Sequence, residues 1–236
     1  MTIQTTRHAL IQSVQANTLS PRASASQLVV KYPESDGEPV GETDFHISAI
    51  FYLRAALRYF FRNHSQLYVA ANMLFYYEEG DPTLVKAPDI FVVKGIDNHE
   101  RRTYKLWEEV VAPCVVFEIT SRSTRLQDLG DKRALYEMLG VHEYFLFDPL
   151  GEYLTPRLQG WRLLGDSYQR MTLAPDGALF SEQLGLTLRP DGSLLRVVDP
   201  ATNEELPTAE EAVARAMMAE AEVARLRVEL ARLRGD

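Results

Sequence analysis

The sequence predicts an α/β sandwich in which a central mixed β-sheet is flanked by helices, and three observations carry that expectation. A helical pattern with one apolar face begins near Asp44, a series of strand-like segments follows from Leu67, and a second helical pattern near Thr124 leads into another apolar strand, Tyr144 to Asp148. Helix, strands, helix, strand is the order of a layered mixed domain. With 236 residues, 46% of them hydrophobic and 25% charged, the chain can bury one substantial core without disulfide or metal staples.

Residues 1–30 have weak periodicity, with a small-polar run from Leu19 to Gln27, and read as a flexible or loosely docked arm. Lys31 to Gly41 contains two prolines and Ser35-Asp36-Gly37 and reads as a loop. The first helix is expected over about Asp44 to Arg62, capped by Thr43 or Asp44. His46, Ile50, Leu53 and Leu57 fall on one stripe, so His46 is the one polar member of an apolar face. Leu67 to Tyr77 and Asp89 to Lys94 read as strands, with a turn at Gly80-Asp-Pro between them and a polar excursion from Asn98 to Arg102 after them. Cys114 to Ile119 is an apolar run holding one acid, Glu118. A helix over about Thr124 to Leu139 then ends at Gly140, a C-terminal capping residue, before the strand at Tyr144.

From Gly151 to about Pro200 the chain reads as short strands and turns, with turn signals at Ala174-Pro-Asp-Gly and Arg189-Pro-Asp-Gly. No linker precedes it, so it is expected to be a β-rich extension of the same domain, which then spans residues 31–206. The tail, 207–236, is different. Ala209, Ala212, Ala216, Ala219, Val223, Leu226, Leu230 and Leu233 recur at steps of three and four, the seam of a coiled coil. Alanine fills its first half, and the pattern divides evenly between a self-associating coiled coil and a helix that docks on the body or frays.

Composition narrows the setting. The single cysteine, Cys114, excludes an intramolecular disulfide and a multi-cysteine zinc site. The N-terminus lacks the apolar stretch of a signal peptide, and nowhere do about 18 apolar residues run together. The expectation is a cytoplasmic protein with no membrane partner. The net charge of −8 argues against a generally basic surface for gripping phosphates. It does not argue against one basic groove beside clustered carboxylates.

Those carboxylates are the chemically informative residues. Glu118 interrupts an otherwise apolar strand, where a charge is costly unless paired, protonated or bound to a metal. Asp89 follows Pro88 at the start of another strand, and two carboxylates on neighbouring strands supply the hard oxygen donors that magnesium or manganese takes. Lys132 falls on the Leu129, Leu135, Leu139 stripe of the second helix, and Asp128 and Tyr136, four residues either side, share its face. Each has an ordinary structural reading too. Asp89 is an acid of the strand-start type, Glu118 suits a buried ion pair with Arg122 or Arg125, and Lys132 suits a stem laid on apolar surface with its amine in water.

Taken together, Ala87-Pro-Asp-Ile-Phe-Val-Val93, Val115-Val-Phe-Glu-Ile-Thr-Ser121, Ser123 to Arg133, and Tyr136 through Leu139-Gly-Val-His-Glu-Tyr-Phe-Leu-Phe-Asp-Pro149 resemble the Uma family of restriction-endonuclease-type proteins, within the PD-(D/E)XK nuclease superfamily. The resemblance runs from about Tyr32 to about Leu206. It implies a restriction-endonuclease-like sandwich and a magnesium-dependent phosphodiesterase site, with manganese as an alternative ion. Asp89 matches the motif aspartate and Glu118 the second acid, and these, with the Ile119 carbonyl, would hold the metal. Thr120 stands where the superfamily usually has a lysine, and Lys132 matches the lysine that this family places on the following helix. His46 matches a histidine often seen on the first helix, and equally suits a hydrogen-bonded core position. Lys132 would orient the attacking water or stabilise developing charge. Arg122, Arg125 and Arg133 are candidates for phosphate contacts or for surface ion pairs with Asp128 and Asp131.

The expected function is therefore a metal-dependent endonuclease acting on DNA. Its alternative is a catalytically inactive binding or regulatory module, with the coiled tail as the interaction element. A single site per chain favours a homodimer, expected to form mainly through the globular body with the tail as an auxiliary contact.

Overall fold

The computed structural model describes residues 30–35 and 43–234. The arm expected over 1–30 lies outside these residues except for Val30, as does part of the loop expected over 31–41. Helix α1 (Asp44–Phe60) starts where Thr43 Oγ1 accepts the His46 N–H at 3.4 Å, and it buries His46, Ile50, Leu53 and Leu57 along the expected stripe. Strands β1 (Leu67–Ala71) and β2 (Phe75–Tyr76) are separated by Asn72 at a φ of 47°, which breaks the single run read from the sequence. Then come β3 (Val85–Lys86), β4 (Ile90–Lys94), β5 (Tyr104–Lys105), the one-turn helix α2 (Leu106–Glu109) and β6 (Val115–Ile119).

The second long helix is not uniform. It opens as α3 (Arg125–Gln127), widens into a π-helical turn (Asp128–Lys132) and continues as α4 (Arg133–Met138). Gly140, at a φ of 75°, closes it and lets the chain enter β7 (Glu143–Phe147). The chain goes on through β8 (Leu158–Leu164), β9 (Ser167–Arg170), β10 (Leu179–Ser181), β11 (Leu186–Asp191), β12 (Leu194–Asp199) and β13 (Glu204–Glu205) to α5 (Ala209–Arg234).

The main sheet has the order β1-β4-β6-β7-β8-β9. Only β6 and β7 are parallel, joined by the helical crossover through α3 and α4; the other pairs are antiparallel. This is the mixed α/β arrangement that the sequence predicts. Both faces of the sheet are covered, so β4, β6 and β7 are nearly all buried and their strand alternation is hidden in the sequence. Ile90, Val92, Val115, Phe117 and Ile119 point to the face shared with α1 and the strands after β9. Phe91, Val93 and Val116 point to the opposite face, with Tyr136 of α4.

The extension after Gly151 divides between two sheets. Strands β8 and β9 complete the main one, while β10 to β13 form a separate four-stranded antiparallel sheet. At Gly160 the two sheets come so close that an added Cβ would lie 2.8 Å from Leu179 Cδ1 and 2.9 Å from Met171 Sδ. Glycine there admits the contact. Among the described residues, no helix is long and apolar enough to cross a membrane.

Candidate active site

Strand alternation brings the two acids together. β4 and β6 pair with Ile90 opposite Phe117, so the next position along sets Asp89 opposite Glu118. Side chains directly opposite each other in an antiparallel pair share a face. That face is the one covered by the crossover helix, which carries Lys132.

Glu118 is 1% exposed and is held at both oxygens. Lys132 Nζ donates to Oε2 at 2.8 Å and the Tyr136 hydroxyl donates to Oε1 at 2.8 Å. Lys132 Nζ also stands 2.9 Å from Asp128 Oδ1. Asp89 sits at the sheet end, where its Oδ2 accepts the Ile119 N–H at 2.6 Å and its Oδ1 lies 3.5 Å from His46 Nε2. The structure thus brings all four expected side chains and the Ile119 main chain to one end of the sheet.

Electrostatically the cluster is lopsided: one ammonium stands between the carboxylates of Glu118 and Asp128, and a third carboxylate, Asp89, lies beside Glu118. Burial, reinforced by the neighbouring charges of Asp89 and Asp128, pushes Glu118 up to about 8 against the opposing pull of Lys132. Burial acts to lower Lys132, but the carboxylates of Glu118 and Asp128 outweigh it and hold the amine above its ordinary value. Lys132 therefore stays protonated while Glu118 resists ionisation.

Two ordinary readings from the sequence are corrected here. Glu118 pairs with Lys132 and Tyr136, neither with Arg122 nor with Arg125, both of which are exposed. Asp128, read as a surface partner for an arginine, is 1% exposed and faces Lys132. The π turn is part of the cause. The Tyr144 hydroxyl donates to the Asp128 carbonyl at 2.9 Å, anchoring the widened turn against the sheet. Arg133 leaves the cleft altogether, its guanidinium lying 5.4 Å from the centre of the Trp161 ring.

A cleft of about 540 Å³ opens onto this cluster, lined among others by His46, Asp89, Thr120, Arg122, Ser123 and Lys132. Glu118 is not on its wall but behind Lys132. Asp148, which the sequence reading treats only as a strand end, fixes the far wall. Its Oδ1 accepts the Leu150 and Gly151 N–H groups at 3.1 and 2.9 Å, and its Oδ2 accepts those of Tyr153 and Leu154 at 2.5 and 2.9 Å. The Asp148-Pro-Leu-Gly151 turn is the signal that points to it.

Among the described residues, no three or more His, Cys, Asp or Glu side chains are grouped to hold a metal. Two carboxylates and a main-chain carbonyl are nevertheless a fitting donor set for magnesium. That ion keeps several waters and takes only one or two protein carboxylates, whereas calcium or structural zinc wants a fuller cage. The surplus of buried acid over ammonium fits a divalent cation on the same grounds.

A mixed α/β sheet with two acids at its open end and a lysine from the crossover helix defines the class of fold and cleft. The particular family follows from sequence: the Uma2 family model, described as "Putative restriction endonuclease", matches residues 22–193, and the chain belongs to that family. No curated protein matches the chain. Among solved structures, a protein from Anabaena variabilis ATCC 29413 described as "a putative nuclease belonging to DUF820" superposes with a TM-score of 0.45 at 13% identity. The alignment covers 61% of this chain and 75% of that one, a likeness too loose to bear on function.

Proposed function

We propose that this protein is a magnesium-dependent endonuclease that hydrolyses phosphodiester bonds in DNA. One observation carries the reading: Asp89 and Glu118 are cross-strand neighbours on one face of the sheet, with the Lys132 ammonium 2.8 Å from Glu118 at the floor of a cleft. Membership of the Uma2 family supports it.

Asp89, Glu118 and the Ile119 carbonyl are the groups that would hold the ion, with manganese as a substitute. The chemistry it supplies when bound is Lewis-acid polarisation of the phosphate and a more acidic water. The chain's own residues do the rest. Lys132 holds positive charge where the phosphate's negative charge builds up, and Asp128 and Glu118 fix its amine in place. His46 braces Asp89. Arg122, Ser123 and Thr124, at the cleft mouth, offer a guanidinium and two hydroxyls to phosphate oxygens. A nuclease that cuts both strands of a duplex with one site per chain gains from pairing two copies about a two-fold axis.

The enclosure of Glu118 favours a second reading, a non-catalytic binding module that keeps the acid–lysine cluster as a structural ion pair. The two readings separate on plasmid DNA. Nicking or linearisation with magnesium or manganese, lost in Glu118→Ala and in Lys132→Ala while Lys132→Ala still takes up manganese by calorimetry, supports the nuclease. A folded wild-type chain that neither binds manganese nor cuts any plasmid, linear or single-stranded DNA sinks it.

A further inference from the structure

Helix α5 leaves the body at a fixed start. The Glu211 N–H donates to Thr208 Oγ1 at 3.1 Å while the Thr208 N–H donates to Glu211 Oε2 at 2.8 Å, a reciprocal cap. Arg196 of β12 donates to the same Oε2 at 2.9 Å and ties the cap to the second sheet. Beyond this point the helix runs 26 residues, about 39 Å at 1.5 Å per residue, and buries none of them. The docked alternative raised by the sequence is thus not what the described residues adopt. The cap also changes the weight of the alanine-rich half. Starting a helix is the costly step, and here the body supplies the start, so the weak first turns need not nucleate on their own.

What covers the seam is written in the charges beside it. With Ala209 at heptad position a, Val223 and Leu230 also occupy a, and Leu226 and Leu233 occupy d. Positions g and e, which flank the seam, then hold Arg215, Glu222 and Glu229 at g and Glu220, Arg227 and Arg234 at e. In a parallel, in-register pair, each g residue lies beside the e residue five positions further along the partner. Arg215 then meets the partner's Glu220, Glu222 meets the partner's Arg227, and Glu229 meets the partner's Arg234. All three are opposite in sign, and the two-fold axis repeats them on the other side. The antiparallel register that sets Ala209 against the partner's Leu233 brings Glu220 beside the partner's Glu220 and Glu222 beside the partner's Glu222. Those are two like-charge pairs at the centre, against one opposite-sign contact, Arg215 beside the partner's Glu229, that the two-fold axis repeats once.

We propose that α5 pairs with the same helix of a second copy as a parallel, in-register two-stranded coiled coil. Both bodies then stand at the same end of the coil, and α5 rather than the body surface is the principal contact. Glu222 already bonds Arg225 of its own helix at 2.6 Å, and its two oxygens leave room for the partner's Arg227 as well. The pairing stands apart from the nuclease reading, since it needs neither metal nor DNA.

The test uses the full-length chain. Leu233→Cys, equilibrated in a glutathione redox buffer, should give a covalent dimer on a non-reducing gel, and Leu226→Cys should do the same should the last turn fray. Cys114 is buried and should not contribute. In sedimentation at micromolar concentration the wild type should be dimeric. Glu222→Arg should weaken it at least tenfold, and Glu222→Arg with Arg227→Glu should restore it. Because α5 lies outside the core, the thermal midpoint of the body should not move. A mixed disulfide between Ala209→Cys and Leu233→Cys chains would mark the antiparallel arrangement and overturn the proposal. So would a monomeric wild type, or a dimer indifferent to Glu222→Arg.

Discussion

Replacing Lys132 by methionine keeps most of the side chain's length and packing and removes the ammonium with its N–H donors. The amine lies 2.8 Å from Glu118 and 2.9 Å from Asp128, with the lysine side chain 13% exposed and both carboxylate side chains 1% exposed. Removing one partner of a buried ion pair costs about 3–5 kcal/mol, because the remaining charge is left without compensation. Part of that loss can be avoided by protonation, and here the direction matters. Glu118 already has a folded-state value of about 8 against an ordinary 4.5, so folding takes up a proton between these values. Its stabilising contribution is complete below about 4.5 and is lost as pH rises through about 8. Without Lys132, Glu118 rises further and the fall continues to higher pH. Lys132→Met should therefore lose about 3–5 kcal/mol at pH 9, and less at pH 6, where Glu118 is already protonated and Asp128 alone loses its partner. The pH 9 loss corresponds to roughly 6–20 °C in thermal midpoint for a domain of this size. Thermal and urea unfolding in EDTA at the two pH values measure this directly. Equal losses at both pH values, or no loss at pH 9, would refute the picture of two buried acids sharing one ammonium.

Other consequences are simpler to check. Asp148→Ala leaves the Leu150, Gly151, Tyr153 and Leu154 N–H groups without their shared acceptor, and should cost about 3 kcal/mol or more. Faster proteolytic nicking across 149–154, measured at a temperature where the body stays folded, would report the loosened wall. The Cys114 thiol is pushed up to about 11, by burial above all, so native protein at pH 8 should resist iodoacetamide and should take up one equivalent after denaturation. Rapid alkylation of the folded chain would contradict its burial. In plasmid assays Lys132→Ala should lose most cleavage yet still bind manganese, since an ammonium is not a metal ligand, with the pH at which binding tightens moved upward along with Glu118. Undiminished cleavage would move the catalytic role to another residue.

Much of this arrangement was legible because it follows from short-range periodicity. The stripe through His46, Ile50, Leu53 and Leu57 needs only a 3.6-residue repeat, and α1 buries all four residues. Glu118 was conspicuous because its neighbours along the strand are apolar, and burial on both faces is what makes it so. Asp128 carries two readings for the converse reason. Set among Arg125, Asp131 and Arg133, it has the look of a solvated helix face, and only its four-residue spacing from Lys132 and Tyr136 points inward. The π turn was invisible in a pattern read as one regular helix. It depends on the Tyr144 hydroxyl reaching the Asp128 carbonyl across 16 residues of sequence. The split of the extension into two sheets was equally hidden, since alternation within β8 to β12 is the same whichever sheet a strand joins. Side-chain size at Gly160, a long-range property, permits their close approach.

The lysine's place on the crossover helix, with Thr120 at its usual strand position, has a consequence for charge. Here the helix contributes both Lys132 and Asp128 to the cluster. With all three ionised, Asp89, Glu118 and Asp128 outnumber the ammonium by two charges. On the proposed reading a single divalent ion cancels that surplus once Glu118 has given up its proton, so a phosphate would approach a neutral floor instead of a negative one. This resolves the apparent conflict between a net charge of −8 and a polyanionic substrate, because the charge that matters is local and changes when the ion arrives. It also ties ion uptake to protons. Glu118, pushed up to about 8, must give up its proton to become a ligand, so manganese binding near pH 7 should release protons and tighten as pH rises toward 8. Calorimetry in buffers of different ionisation enthalpy measures that release. Binding without proton release at pH 7 would mean that Glu118 is already ionised or is not a ligand.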